Sequence, residues 1–325
     1  MKIGLTYDLR TEHLSDGWQP EDAAEFDSEE TIDALADVCL RMGHDVDKIG
    51  HVKRLASRLV SGERWDLVFN IAEGCYGTAR EAQVPSLLDA YQIPYTFSGP
   101  LTLALCLHKG MAKRIVRDHG LRTPPFAVVS TIDELCEVAL AFPLFVKPVA
   151  EGSSKGIGVK SIIRTRQHLD AVCEQLLGRF KQPVLIEEYL PGREFTVGIL
   201  GQGRHASVMG VMEIVLRPNA DYGVYSYQNK EHYEDRVEYR LADDEQAWDV
   251  ARLALAAWAA LGCRDAGRVD IRMDQQSRPS FIECNPLPGL QPHRSDLVIM
   301  ARLCGWDYTR LISTIVMLAK ERLGK

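Results

Sequence analysis

The 325-residue chain has no Cys-x-x-Cys pair. Its eight cysteines are scattered, so they do not outline a disulfide framework and read as reduced, mostly buried thiols of a cytoplasmic protein. No window supplies the roughly 18 uncharged apolar residues of a membrane span. The start, Met1 through Asp8, is strand-like and lacks the long apolar stretch of a signal peptide. No membrane partner is expected. Basic residues are outnumbered, 38 Lys and Arg against 45 Asp and Glu, for a net charge of −7. That argues against nucleic acid or any general polyanion as partner, and leaves phosphate groups to a few local cations. Internal repeats and low-complexity segments are also absent.

What is present points to an α/β protein. With 46% hydrophobic residues, the length suffices for two or three domains with sizeable cores. Over the first hundred residues, strands at 3–7, 45–49 and 66–70 alternate with helices at 28–42 and 52–60. This order predicts a small parallel sheet covered by helices. Ligands of such sheets gather at the strands' carboxyl ends, which puts Asp8, Asn70 and Glu73 near a site. A helical stretch then carries Lys109 and Lys113 on one face. A shorter α/β unit follows, with strands at 144–147 and 184–188 and a helix at 167–177. Strand-like residues dominate 194–215, and the polar, tyrosine-rich 218–238 reads as a long loop. Helices are expected at 244–261 and 308–322.

Two stretches near the end carry the strongest chemistry. Arg268 to Arg272 and Phe281 to Asn285 read as strands of a hairpin turning at 277–280. Alternation puts Arg268, Asp270 and Arg272 on one face and Glu283 with Asn285 on one face, with Cys284 turned away as a buried thiol. Two carboxylates and an amide oxygen suit Mg²⁺, and the guanidinium groups suit phosphate or carboxylate.

The glycine- and serine-rich stretch 151–158 follows a strand. It lacks Walker A spacing, and strand-like residues follow it where a Rossmann fingerprint would open a helix. It is either a plain glycine-rich turn or a hairpin lid whose N–H groups wrap an anion. Lys147 ends an apolar strand beside it, unlike the solvated lysines elsewhere. Glu187 and Glu194 flank an apolar strand and turn. They read equally as exposed turn charges or as carboxylates facing a purine nucleoside.

These stretches, in order, resemble the D-alanine–D-alanine ligase family of ATP-grasp enzymes. The resemblance rests on Phe145-Val146-Lys147-Pro148, Glu151-Gly152-Ser153-Ser154, Ile186 through Val197, Gly267-Arg268-Val269-Asp270 and Glu283 through Gly289. It covers roughly residues 100–290. It implies an ATP-grasp fold of three α/β domains, with a Rossmann-like N-terminal domain at 1–105. ATP would be held between a central subdomain at 106–183 and a C-terminal one at 184–325. It implies ATP, with Mg²⁺ or Mn²⁺, small amino-acid substrates, a homodimer and a carbon–nitrogen bond made through an acyl-phosphate. By family position, Lys109, Lys147 and Lys230 contact phosphates, and residues 151–156, with Glu151, Gly152, Ser153 and Ser154, form the covering loop. Glu187, Tyr189 and Leu190 hold the adenine and Glu194 the ribose. Asp270, Glu283 and Asn285 hold the metal, and Arg268 and the Gly289 backbone face the reacting groups. Ser153 would connect to the acid that orients the first substrate's ammonium.

The chain departs from the family where the amino acids bind. The usual glycine/serine turn and acid after the first strand are replaced by Asp8 through Glu12 and an insert, leaving Glu21, Glu25 and Glu29 as substitutes. Glu231 follows Lys230 where a tyrosine is usual, and His232 and His293 are alternative bases or plain solvated loop histidines. Arg294 or Ser295 could hold the second carboxylate. The tyrosines at 222, 225, 227 and 233 could pack on adenine or cover the lid. The leading reading is a D-alanine–D-alanine ligase. The alternatives are an ATP-grasp ligase of specialised metabolism, an acyl-phosphate-forming enzyme with no peptide product, and a nucleotide-binding module without ligase activity.

Overall fold

A computed structural model describes residues 1–221 and 223–322. Tyr222 and the side chain of Glu231 lie outside that description. The N-terminal unit contains β1 (Lys2–Thr6), α1 (Arg10–Ser15), α2 (Glu29–Arg41), β2 (Asp45–Lys48), α3 (Val52–Val60), β3 (Leu67–Asn70) and α4 (Gln83–Ala90). Its strands form the expected parallel sheet, in the order β2-β1-β3. All four residues of β3 are buried, as befits a parallel strand covered on both faces. α2 starts where the Ser28 side chain accepts from Thr31 N, has Glu29 and Glu30 in its first turn, and stops before Gly43 at φ +79°. α1 had no periodic signal, because six residues are too few to show one.

The middle of the chain holds α5 (Pro100–Leu107), α6 (Lys109–Asp118), β4 (Phe126–Val129), β5 (Leu144–Pro148), β6 (Ile162–Ile163), α7 (Arg166–Phe180) and β7 (Val184–Glu188). His108 breaks the expected single helical stretch in two, and its ring accepts from Met111 N. The antiparallel sheet runs β4-β7-β5-β6. β7 therefore belongs with the central strands, which moves the sheet's limit from the expected 183 to Glu188.

The rest comprises β8 (Glu194–Leu200), β9 (Ser207–Leu216), α8 (Tyr227–Glu231), α9 (Tyr233–Arg236), β10 (Val237–Leu241), α10 (Glu245–Ala260), β11 (Ala266–Met273), β12 (Pro279–Asn285), α11 (Asp296–Leu303) and α12 (Tyr308–Glu321). Five strands pair antiparallel as β10-β9-β8-β11-β12. α10 packs against one face of this sheet through Ala247, Val250, Ala254, Ala257 and Trp258, and α11 covers part of the other over β8, β9 and β10, leaving the rest of that face for a ligand. The expected loop at 218–238 gives way from Tyr227 onward to α8, α9 and the start of β10. Ser226 caps α8, and the buried Asn229 amide donates to Asp221 O and Val224 O. The turn of the β11–β12 hairpin lies at 274–278, so Pro279 and Ser280 are already strand. α12 returns to the N-terminal unit, where Leu311, Ile312, Ile315 and Val316 share a core with Leu5, Leu35, Val38 and Phe69. No helix among the described residues is long and apolar enough to cross a membrane.

Candidate active site

The cleft lies between the central sheet with its 151–158 loop and the part of the β8–β12 sheet's second face that α11 leaves open. Its outer end is apolar: Ile157, Leu190, Ile214 and Val224 surround Phe145 and Tyr189, whose rings stack at 6.5 Å. Arg272 lies over the Tyr189 ring and meets the Glu194 carboxylate at 3.1 Å. The Tyr189 N–H donates to Pro143 O, so its carbonyl is the backbone group it can offer a base. The cleft measures about 90 Å³.

Further in, charges interleave. Glu187 bridges Lys113 (2.8 Å) and Lys147 (3.1 Å), and all three side chains are at most 4% exposed. Glu283 lies 3.6 Å from Lys109 and 3.7 Å from Lys147. Burial alone would raise the Glu283 pKa, but Lys109, Lys147 and Arg268 outweigh it and hold it at about 2. Burial brings Lys113 down to about 8 despite Glu187. For Lys147, burial is outweighed by Glu187 and Glu283, and its pKa rises. Lys109 Nζ also donates to Glu151 O at 2.5 Å, tying the 151–158 loop to α6.

The β11–β12 register sets Asp270 opposite Glu283 and Arg268 opposite Asn285. Asn285 Nδ2 donates to Asp270 Oδ2 (3.2 Å), Thr196 Oγ1 donates to Asp270 Oδ1 (2.7 Å), and Arg268 Nη1 donates to both Asp270 oxygens (2.6 and 2.5 Å). Burial raises the Asp270 pKa, against the pull of Arg268. Desolvated carboxylates brought opposite one another beside an amide oxygen are a donor set that fits Mg²⁺ or Mn²⁺.

A second cavity of about 400 Å³ opens beyond this face. Glu25, Asp27, Glu73 and Glu81 line one side of it, and Gly289 and Ser295 also line it. Ser153, Lys230 and Arg268 line both cavities. Ser153 and Ser154 hold φ of +49° and +56°, a left-handed backbone that serine seldom adopts. The Ser154 hydroxyl fastens the loop to Tyr225 O (3.0 Å).

Of the three acids considered for the first substrate, Glu25 reaches this cavity. Its carboxylate binds Arg80 (2.9 Å), Lys155 (3.2 Å) and the Gly152 N–H. Glu21 pairs with Arg179 and accepts from Gly156 N (3.4 Å) on the outer side of the 151–158 loop, and Glu29 accepts from Thr11; neither lines this cavity. Asp8 and Asn70 brace loops instead, accepting from Gly74 N and Ala72 N respectively. Arg294 lines the cavity. His232 is exposed, and His293 is exposed with its ring 3.5 Å from Glu30. Tyr225 lines the cleft, and its hydroxyl pairs with Tyr239.

A family model described as the D-ala D-ala ligase C-terminus matches residues 115–317. A D-alanine–D-alanine ligase of Bordetella pertussis is 38% identical over 256 residues, covering 78% of this chain and 78% of its own. One from Aquifex aeolicus is 32% identical over 285 residues, covering 87% and 92%. The chain belongs to the D-alanine–D-alanine ligase family. It is an ATP-grasp ligase, an enzyme that forms a carbon–nitrogen bond at the expense of ATP. The fold agrees with the solved D-alanine–D-alanine ligase of Bacillus anthracis complexed with ATP, at a TM-score of 0.75 and 22% identity over 99% of this chain and 98% of that one.

Within this ligase, sequence reasoning passed over Asp296. The side chain is 2% exposed and gathers Lys230 (3.3 Å), Arg268 (3.6 Å) and the Tyr225 hydroxyl (3.5 Å). It opens α11, a helix the sequence pattern did not reveal. Lys113, Arg80 and Lys155 were also missed as site charges. Lys113 and Arg80 pair with residues 74 and 55 positions away in the chain, which no local motif records, and Lys155 adds to its local Glu151 pair at 2.5 Å a second one with Glu25, 130 residues away.

Proposed function

We propose that this enzyme activates the carboxylate of one small amino acid with ATP and joins it to the amine of a second, with two D-alanines as the leading pair. The observation that carries this reading is that Ser153, Lys230 and Arg268 line both the nucleotide cleft and the acid-walled cavity. A phosphoryl group leaving one ligand would meet the other there. A carboxylate is a poor electrophile, and phosphoryl transfer to it needs positioning and charge neutralisation more than covalent help. Lys109, Lys147 and Lys230 supply cations. Asp270, Glu283 and Asn285 would hold Mg²⁺ or Mn²⁺, which when bound neutralises phosphate oxygens. Glu25, kept ionised because Arg80 and Lys155 outweigh its burial, suits the first substrate's ammonium, with Ser153 beside it. Arg268 and the Gly289 N–H are suited to the oxyanion that develops as the amine attacks. The lid Glu151-Gly152-Ser153-Ser154 excludes water, which would otherwise hydrolyse the acyl-phosphate. Glu187, Tyr189, Leu190 and Glu194 take the nucleoside.

A second reading concerns the substrate pair. Asp27, Glu73 and Glu81 add carboxyl groups to the cavity beyond the one an alanine ammonium needs, which favours other amino-acid substrates. The complete Asp270, Glu283 and Asn285 set counts against a module that only binds nucleotide. A cytoplasmic enzyme, as the free thiols suggest, and a homodimer through the N-terminal unit, as the family resemblance suggests, complete the proposal. The test is phosphate release and product mass with ATP, Mg²⁺ and a panel of D- and L-amino acids. D-alanyl-D-alanine is the expected product, and turnover with other amino acids but not D-alanine would replace it. Glu283→Ala should lower kcat by roughly 10²–10³, and near-normal turnover would remove Glu283 from the metal set.

A further inference from the structure

Behind the metal-binding face, three thiols meet. Cys284 lies between Glu283 and Asn285 but turns to the opposite side of β12. Cys106 sits in the last turn of α5, and Cys263 in the connection from α10 to β11. Their exposures are 3%, 3% and 2%. Their Sγ atoms all lie within 4.8 Å of one another, with Cys263 and Cys284 at 3.6 Å. Around them the core is apolar and includes Ala112, Val116, Trp258 and Phe281. A cavity of about 20 Å³ is lined by Cys106 and Cys284 together with Lys109, Glu283 and Asn285. That is room for a single small species, and it connects the thiols to the catalytic face.

We propose that Cys106, Cys263 and Cys284 form a binding site for one three-coordinate thiophilic centre, of the class of trivalent arsenic or antimony, and that loading it disables the ligase from behind. Bonds of about 2.3 Å to sulfur in the pyramidal geometry of such a centre set the sulfurs roughly 3.4 Å apart, so a group with Cys263 and Cys284 at 3.6 Å and all three within 4.8 Å needs only to draw together slightly. The group has three members among the described residues, whereas structural zinc asks for four ligands. Charge also selects the ion. Three thiolates around a monovalent or divalent cation leave net negative charge against an apolar wall, which is costly, and a trivalent centre leaves none. In the reaction with trivalent arsenic hydroxide, three As–S bonds replace three As–O bonds. Each thiol proton leaves with a hydroxide as water, and no electrons are transferred. The bound centre would fix Cys284 and, through β12, displace Glu283 and Asn285 from their working positions.

The reduced full-length protein is treated with sodium arsenite, desalted, and assayed for arsenic content, sulfur coordination by X-ray absorption, and ATP turnover. One arsenic per chain with three sulfur neighbours is expected, with turnover lowered roughly tenfold or more and restored by a small dithiol. Cys263→Ser, remote from the reacting groups, should keep its turnover, hold arsenic roughly tenfold more weakly or worse, and resist inhibition. Cys106→Ser gives the same comparison should the first variant not fold. Arsenic lost on desalting, two-sulfur coordination, or undiminished retention in the variants overturns the proposal. Retention of zinc but not arsenic overturns its charge argument. Coordination is read without any amino-acid substrate, so this result stands apart from the identity of the product.

Discussion

Carboxyl groups on one cavity wall titrate in opposite ways. Burial raises Glu81 to about 8 even with Arg80 beside it, and burial with the charge of Asp8 raises Asp27 to about 7. Glu25, on the same wall, falls to about 2 because Arg80 and Lys155 outweigh its burial. For the two raised groups, the folded state keeps a proton that the unfolded chain releases near pH 4, so between about pH 4 and 8 folding binds protons and stability falls as pH rises. Glu25 and Glu283 act in the other sense, but their contribution is complete above about pH 5 and declines only toward pH 2. The unliganded enzyme should therefore be most stable near pH 5 and lose on the order of a few kcal/mol by pH 8. Glu81→Gln should flatten that slope when melting temperature is followed against pH. An unchanged slope would mean that Glu81 does not hold a proton in the folded state.

The elements show which parts of the site were legible in the sequence. The β11–β12 hairpin was, because a period of two sorts Arg268, Asp270 and Arg272 from Val269 and Ile271 whatever surrounds them. The parallel sheet of the first unit was legible for another reason, the alternation of short apolar strands with helices along the chain. α8 and α9 were not, since helices of five and four residues are fixed by capping and by the buried Asn229, and leave no repeat. Asp296 and Lys113 owe their place to pairing across the fold, which no spacing encodes. The glycines of the 151–158 loop fitted a plain turn as well as a lid, only the family resemblance favouring the lid, and Gly156 shows how tightly the loop seats. At φ +72°, a Cβ there would come 2.8 Å from the Phe180 ring and 2.9 Å from Pro148 Cγ. Gly156→Ala should raise the KM for ATP roughly tenfold, from one to two kcal/mol of strain. It should also release more phosphate than dipeptide, because a badly seated lid admits water. A phosphate-to-product ratio that stays at one would deny the lid its water-excluding role.

At the scale of the molecule, the nucleotide cleft is nearly shut. Its 90 Å³ is well below the roughly 300–1,000 Å³ of ligand sites, and the Lys147–Glu187 and Lys109–Glu283 pairs occupy the space where phosphates and metal would go. Binding must part the central sheet from the β8–β12 sheet and exchange these internal pairs for contacts to the nucleotide. ATP with Mg²⁺ at about a hundred times its Kd should stabilise the fold by about 2.7 kcal/mol. It should also change amide hydrogen exchange at 151–158 and 217–236 together, and unaltered exchange at both would mean that neither segment moves. Finally, α12 completes the hydrophobic core of the first unit, and Arg322 just beyond it pairs with Asp265 at 2.7 Å and donates to Tyr95 O. A chain emerging from the ribosome therefore cannot finish its first domain until α12 has been made. A prematurely terminated copy would leave Leu5, Leu35 and Phe69 uncovered, and such exposed apolar surface favours aggregation and clearance.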